Sequence, residues 1–109
     1  MYFLPDEMNP PMDQIVRLLA AMGDTPDEVA AAVRRTNVRG LRDSTSDRNP
    51  IVRFLNRSLN IGGRMEIGAG GNILRLFLSG KTKEATLPVA VQSFLQDFHQ
   101  GLYPDLEGA

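Results

Sequence analysis

Residues 65–88, MEIGAGGNILRLFLSGKTKEATLP, decide the fold class of this sequence. Two apolar, strand-like runs flank the glycine-rich stretch at 68–72, which is typical of a hairpin turn. The segment SGKTK at 79–83 predicts a second turn, and EATL at 84–87 predicts a short third strand. The stretch therefore predicts a small antiparallel β-meander of two to three strands.

The clearest helix signal lies N-terminal to the meander, in the sequence TPDE at 25–28. Thr25 can accept a hydrogen bond from the amide of Glu28, and Glu28 can reach back to Thr25, which is the pattern of a capping box. The helix that follows is expected to end near residues 36–37. Two arginines then fall in its last turn, where cations interact well with the helix dipole.

Three further helices follow from apolar periodicity and from proline and glycine at their ends. One begins between residues 9 and 13 and ends at Gly23. Another begins at Asn49-Pro50, and the last runs from Pro88 to Gly101. Because three helices precede the meander and one follows it, helices and strands segregate along the chain. This order predicts an α+β fold with a C-terminal helix.

Length and composition indicate a single domain at residues 1–109, with a lead-in at 1–11 and a tail at 102–109. The chain can form one modest core, and its hydrophobic content of 42% and charged content of 23% are ordinary for a globular protein. Apolar side chains in both terminal segments suggest that these segments pack on other parts of the protein. They are Tyr2, Phe3 and Leu4, which would dock on the core or on a partner, and Tyr103 and Leu106, which would fold back onto the core.

The absence of cysteine excludes disulfides and thiolate metal sites, so a reducing cytoplasm is the expected compartment. No apolar run approaches the roughly 20 residues of a membrane span. The first residues lack the basic region and the apolar core of a secretory signal. We therefore expect a cytoplasmic protein that does not bind a membrane.

No credible catalytic set is visible. His99 is the only histidine, which excludes paired-histidine catalysis and histidine-rich metal sites. The GKT at 80–82 resembles the end of a phosphate-binding loop, but Arg75 stands where the first glycine is required and no helix is expected directly after it. Asp43 and Asp47 are best interpreted as parts of a solvated, partly ion-paired loop. The sequence thus predicts a non-enzyme, with no cofactor and no metal.

Charge is distributed unevenly, although the net charge is only −1. Residues 34–64, the basic block, contain eight arginines and two aspartates, whereas residues 1–28 contain six acids and one arginine. Such a charge asymmetry is informative about what the protein binds. The basic block could bind an acidic partner, or it could be neutralised by the acidic ends of the same chain.

The first functional hypothesis is a non-enzymatic interaction or adaptor module that docks an acidic protein partner. The motivation is the charge of the basic block, eight arginines against two aspartates, together with the lack of a credible catalytic set. The candidate binding residues are Arg34, Arg35, Arg39, Arg42, Arg53, Asn56 and Arg57.

The alternative is a winged-helix-like nucleic-acid-binding protein. Three helices followed by a hairpin resemble that arrangement, and Arg53 and Arg57 lie one turn apart on the third helix. Three features weaken this hypothesis. The gap before the third helix is about a dozen residues instead of the usual 3–4, the basic block has no lysine, and the isoelectric point is about 5.7.

Three segments together resemble a group of small uncharacterised α+β proteins common in bacteria with high-GC genomes. They are TPDEVAAAVRRTNVRG at 25–40, NPIVRFLNRSL at 49–59 and LPVAVQSFLQDFHQGLYPDL at 87–106. The shared features are a Pro-Asp-x-Val-Ala-Ala helix, an Arg-Gly turn, a proline-started helix and a closing Leu-Pro helix ending in Tyr-Pro. Many of the group carry cysteine where this chain has Asn49. The resemblance implies a compact bacterial domain and no particular activity.

Overall fold

The computed structural model describes residues 9–68 and 70–108, and it confirms the predicted α+β fold. The elements in chain order are α1 (Asn9–Ala20), α2 (Pro26–Arg35), α3 (Pro50–Ser58), β1 (Arg64–Ile67), β2 (Ile73–Leu78), β3 (Lys81–Thr86), α4 (Val89–His99) and a 3₁₀ turn (Pro104–Leu106). Three helices precede an antiparallel meander, and one helix follows it. The prediction for Tyr2, Phe3 and Leu4 lies outside the described residues.

The sheet has the strand order β1-β2-β3, and both pairs are antiparallel. Gly68, Gly70, Gly71 and Asn72 lie between β1 and β2, and the Gly71 amide donates a 2.8 Å hydrogen bond to the Gly68 carbonyl, as expected for the predicted turn. The second turn joins Leu78 to Lys81 through Ser79 and Gly80, both at positive φ (53° and 75°). Such a two-residue turn matches the twist of a hairpin. The third strand is longer than predicted because it pairs along the whole of β2.

The two faces of the sheet differ because side chains alternate along each strand. One face carries the buried side chains of β1 and β2, which are Met65, Ile67, Leu74 and Leu76. On the other face, Arg75 lies in register between two glutamates, with nitrogen–oxygen distances of 3.5 Å to Glu66 and 2.6 Å to Glu84. One face of the meander is therefore buried, and the other face carries cross-strand ion pairs.

Helix α2 begins as its sequence predicts. Thr25 is the N-cap, and its hydroxyl accepts a hydrogen bond of 3.2 Å from the amide of Glu28. The return contact differs from a standard capping box, because the Glu28 carboxylate accepts from the Thr25 hydroxyl and the Asp24 amide. Gly23 precedes this cap at a φ of 136°, and a Cβ there would collide with Glu28.

Helix α1 begins within the predicted range and ends earlier than predicted. It starts at Asn9, and Pro10 and Pro11 of the lead-in lie in its first turn. Proline is tolerated there because the first amides of a helix have no intrahelical acceptor. The helix ends at Ala20 and is followed by a turn, three residues before the predicted end at Gly23.

Helix α4 contributes the largest buried side chains of the core. Phe94 and Phe98 are fully buried and stack at 5.9 Å, and the ring of Tyr103 lies 5.2 Å from that of Phe94. Burying an aromatic side chain of this size stabilises a fold by roughly 1.5–3 kcal/mol. Tyr103 and Leu106 are 7% and 2% exposed, so the prediction that the tail folds back onto the core is confirmed.

Candidate interaction surface

The connection between α2 and α3, residues 36–49, is anchored at its end by Asn49. The Asn49 carboxamide oxygen accepts hydrogen bonds from the amides of Ile51 (2.9 Å) and Val52 (3.3 Å), which caps α3. Its amide group donates to the carbonyl of Ser44 at 3.1 Å. Because this side chain is 1% exposed, its polar atoms have to find partners within the protein. Asn49 therefore fixes the connection onto the start of α3.

Arg53 joins three separate segments. Its guanidinium donates to the main-chain carbonyls of Asp47 (3.1 Å), Arg39 (2.8 Å) and Gly108 (3.4 Å). The first two carbonyls belong to the connection, and the third belongs to the tail. The sequence placed Arg53 on an open helix face beside Arg57, but the folded side chain is half-buried and mainly braces the backbone.

The tail runs beside the connection at Gly40. The Gly40 amide donates to the Leu106 carbonyl (2.8 Å), and the Gly108 amide donates back to the Gly40 carbonyl (3.0 Å), which forms a parallel bridge to Glu107. A Cβ at position 40 would lie 2.6 Å from the ring of Pro50. Glycine is therefore required for the close approach of the connection to the start of α3.

Two of the candidate arginines pair with acids of the tail. Arg34 forms a two-pronged contact with Asp105, at 2.6 Å and 3.2 Å, and Arg42 lies 2.8 Å from Glu107. The hydrogen bond from Arg34 lowers the pKa of Asp105, and the same bond raises the pKa of Arg34. The Arg34–Asp105 pair is largely exposed and the Arg42–Glu107 pair is partly exposed, so each contributes little to stability. Part of the basic block is thus neutralised within the chain, which is one of the two possibilities that the sequence left open.

The ring of Tyr103 supports the first of these pairs. The Arg34 guanidinium lies 5.8 Å from the ring centre, and the Tyr103 hydroxyl donates a 2.8 Å hydrogen bond to Asp27 at the start of α2. Burial, assisted by this bond, raises the pKa of Tyr103 to about 12. Tyr103 therefore ties the tail to both ends of α2.

Three of the candidate arginines form no such ion pair with the described part of the tail. Within residues 9–68 and 70–108, the side chains of Arg35, Arg39 and Arg57 form no hydrogen bond or ion pair. An open groove of about 460 Å³, here called the arginine groove, lies between the connection and α3. Its lining residues are Asn37, Val38, Arg39, Arg53, Asn56 and Arg57. Asn37, which lies in the turn after α2 at a φ of 57°, also lines this groove.

The fold thus brings together four of the seven candidate residues and separates the others. Arg34 and Arg42 face the tail. Arg35 borders another depression, which is lined mostly by apolar residues of α1, α2 and α3 such as Leu18 and Phe54. A second groove of about 400 Å³, lined in part by Arg34 and Asp105, shares residues 37–39 with the arginine groove. The two grooves therefore adjoin along the connection.

Sequence reasoning did not identify the tail residues of this surface, notably Asp105, Glu107 and Gly108. The charges themselves were the available signal, because acids in a short tail can neutralise arginines elsewhere in the chain. Which arginine meets which acid depends on the packing of Tyr103 and Leu106, and no local pattern encodes it.

The geometry gives less support to a metal site, to catalysis by His99 or to a membrane-spanning helix. In the described part of the chain, no cluster of three or more potential ligands could hold a metal ion. His99 borders a cavity of about 130 Å³ whose described lining contains amide and hydroxyl groups, such as Asn49 and Thr45, but no acid. None of the helices among the described residues has the length and apolarity needed to cross a bilayer.

Helix α3 offers little surface for reading a DNA groove. In a helix-turn-helix, the N-terminal residues of the recognition helix contact the bases. Here that end is buried at Pro50, Ile51 and Val52. Only its C-terminal turn, with Asn56 and Arg57, is exposed.

Comparison of the chain with known proteins finds no matching family model, no matching curated protein and no matching solved structure. The functional interpretation of the arginine groove therefore rests on its geometry and charge.

Proposed function

We propose that the protein is a non-enzymatic interaction module that docks an acidic segment of a partner protein in the arginine groove. One observation carries the proposal. Arg39 and Arg57 line the same open groove, and neither side chain forms an ion pair or hydrogen bond with an acid among the described residues, although the charge of Arg39 helps to lower the pKa of Asp105. Two guanidinium groups with free hydrogen-bond donors on one concavity favour a ligand that supplies carboxylates.

The rest of the groove suits an extended acidic peptide. Asn37 and Asn56 are exposed and can hydrogen-bond to a peptide backbone, while Val38 lines the groove but is itself a core residue that is only 8% exposed. Arg53 holds the groove wall in place, because its guanidinium is bonded to the carbonyl of Arg39. A wall that is already ordered reduces the entropy lost on binding.

The test is a titration of fluorescently labelled hexaglutamate peptide, followed by anisotropy at low and at physiological salt. The variant Arg39→Glu/Arg57→Glu reverses both groove charges and should weaken binding about tenfold or more, which corresponds to about 1.4 kcal/mol. The matched control is Arg17→Glu/Arg48→Glu, which makes the same change in net charge at two exposed arginines outside the groove.

Equal weakening in both double variants would show that only net charge matters and would overturn the proposal. Unchanged binding in the groove variant would do the same. A labelled DNA duplex is titrated in parallel. Tighter binding of the duplex than of the peptide, with a steep loss of affinity as salt increases, would favour the nucleic-acid alternative.

A further inference from the structure

Arg34 and its partner Asp105 lie where the arginine groove continues along the connection. Both residues line the second groove, which adjoins the first through residues 37–39. A peptide that follows Arg57 and Arg39 along this surface would next meet Arg34. That position is already occupied by a carboxylate of the chain itself.

The Arg34–Asp105 contact can open without disturbing the packing of the tail. The side chains of Arg34 and Asp105 are 45% and 54% exposed, so water can replace either partner. Leu106 is buried by other parts of the core, and the two main-chain bonds to Gly40 involve Leu106 and Gly108, so neither depends on the Arg34–Asp105 contact. The ring of Tyr103 also remains beside the Arg34 guanidinium at 5.8 Å. Arg34 would therefore stay positioned for another carboxylate.

We infer that Asp105 is a built-in competitor for the acidic partner, occupying Arg34 until a carboxylate of the partner displaces it. This inference rests on the proposed function and adds a regulatory element to the same surface. It also specifies the partner further, because an acidic segment long enough to reach from Arg57 past Arg39 to Arg34 gains a third arginine. A shorter segment would leave Asp105 in place.

The second ion pair of the tail provides a matched control. Arg42 and Glu107 are joined at 2.8 Å, but neither residue lines either of the two grooves. Asp105→Asn and Glu107→Gln each remove one negative charge and one ion pair, which is largely exposed in the first case and partly exposed in the second, from the same tail. They differ in one respect. Asp105→Asn frees Arg34, which lies on the proposed path of the peptide, whereas Glu107→Gln frees Arg42, which does not.

The experiment measures the affinity of labelled hexaglutamate for the full chain and for both variants, with circular dichroism as a check on folding. Because an exposed pair is weak, Asp105→Asn should tighten binding by about two- to fivefold. Glu107→Gln should leave the affinity within about twofold of wild type. Arg34→Gln should weaken binding to the otherwise wild-type chain, because the peptide loses its third arginine, and it should cancel the gain when it is combined with Asp105→Asn.

Equal tightening by Asp105→Asn and Glu107→Gln would indicate a general charge effect and would overturn the inference. Binding by the wild type without any gain in Asp105→Asn would also overturn it, while leaving the proposed function standing. If neither the wild type nor Asp105→Asn binds the peptide, the proposed function itself fails, and the inference fails with it. Binding by Asp105→Asn alone would support both, with Asp105 as a strong competitor.

Discussion

The guanidinium of Arg53 donates a 2.8 Å hydrogen bond to the main-chain carbonyl of Arg39, so that one arginine of the basic block holds the backbone of another. The same side chain reaches carbonyls of Asp47 and Gly108. Arg53 is thus the point where α3, the connection and the tail meet. A cation with several fixed donors suits this position because carbonyl oxygens from different directions converge on it.

Arg53→Lys should destabilise the protein, because a single ammonium on a flexible stem cannot reproduce this set of bonds. Hydrogen bonds that involve a charged group contribute about 1.5–3 kcal/mol, so we expect the free energy of unfolding to fall by about 1–3 kcal/mol. Urea denaturation followed by circular dichroism measures it. Arg57→Lys is the control and should stay within about 0.5 kcal/mol of wild type. Similar stabilities of the two variants would show that Arg53 does not brace the fold.

Asn49→Ala should also lower the free energy of unfolding, since it removes the acceptor for the amides of Ile51 and Val52 and the donor to Ser44. Loss of an N-cap alone costs about 0.5–2 kcal/mol, and the lost bond to Ser44 increases the effect. Asn56→Ala, at an exposed position of the same helix, serves as the reference in the same denaturation experiment. If the two alanine variants were equally stable, the proposed anchoring role of Asn49 would be wrong.

Truncation of the two leucines of the C-terminal segment should affect stability to very different extents. Leu106 is 2% exposed and Leu102 is 59% exposed. Leu106→Ala should therefore cost about 2–5 kcal/mol, whereas Leu102→Ala should change stability by less than about 0.5 kcal/mol. In Leu106→Ala, hydrogen exchange of the Gly108 amide should become faster as the tail loosens. Protection of that amide at the wild-type level would show that the main-chain bridge holds the tail without the leucine.

The hydroxyl of Tyr103 should ionise at unusually high pH. The sequence contains two tyrosines, so a Tyr2→Phe variant leaves Tyr103 as the only one. Its absorbance titration should have a midpoint near pH 12, because burial and the bond to Asp27 disfavour the phenolate. A midpoint at the ordinary value of 10.0 would show that the hydroxyl is hydrated and does not donate to Asp27.

This raised pKa also determines how stability varies with alkaline pH. Because the folded protein holds the Tyr103 proton more tightly than the unfolded chain does, the contribution is fully present below about pH 10. It is lost as the pH rises toward about 12. A Tyr103→Phe variant lacks this ionisable group. Its free energy of unfolding should therefore fall less than that of wild type between these two pH values.

The parts of the fold that could be predicted from sequence depend on neighbours in the chain. The cap at Thr25 acts on an amide only three residues away, and the meander follows from alternation and from turns such as the one at Gly80. The predicted helix boundaries were wrong by a few residues, as at the end of α1. There a turn follows the last helical residue, Ala20, and the sequence pattern does not distinguish this turn from the helix before it. The arginine groove was predicted in part, since Arg53, Asn56 and Arg57 share a helix and meet the connection at Arg39.

By itself, the sequence determined the helices, the meander, their order and the presence of an arginine-rich segment, because short-range hydrogen bonding and hydrophobic periodicity are local. The state of each arginine was decided only by the tertiary structure. Arg34 meets Asp105 across 71 positions, and Arg53 meets Gly108 across 55. These contacts exist because Leu106 is buried and carries the acids of the tail onto the basic block. The sequence does not distinguish an arginine that braces the backbone from one that is paired or one that is open to a partner. Only long-range packing distinguishes them.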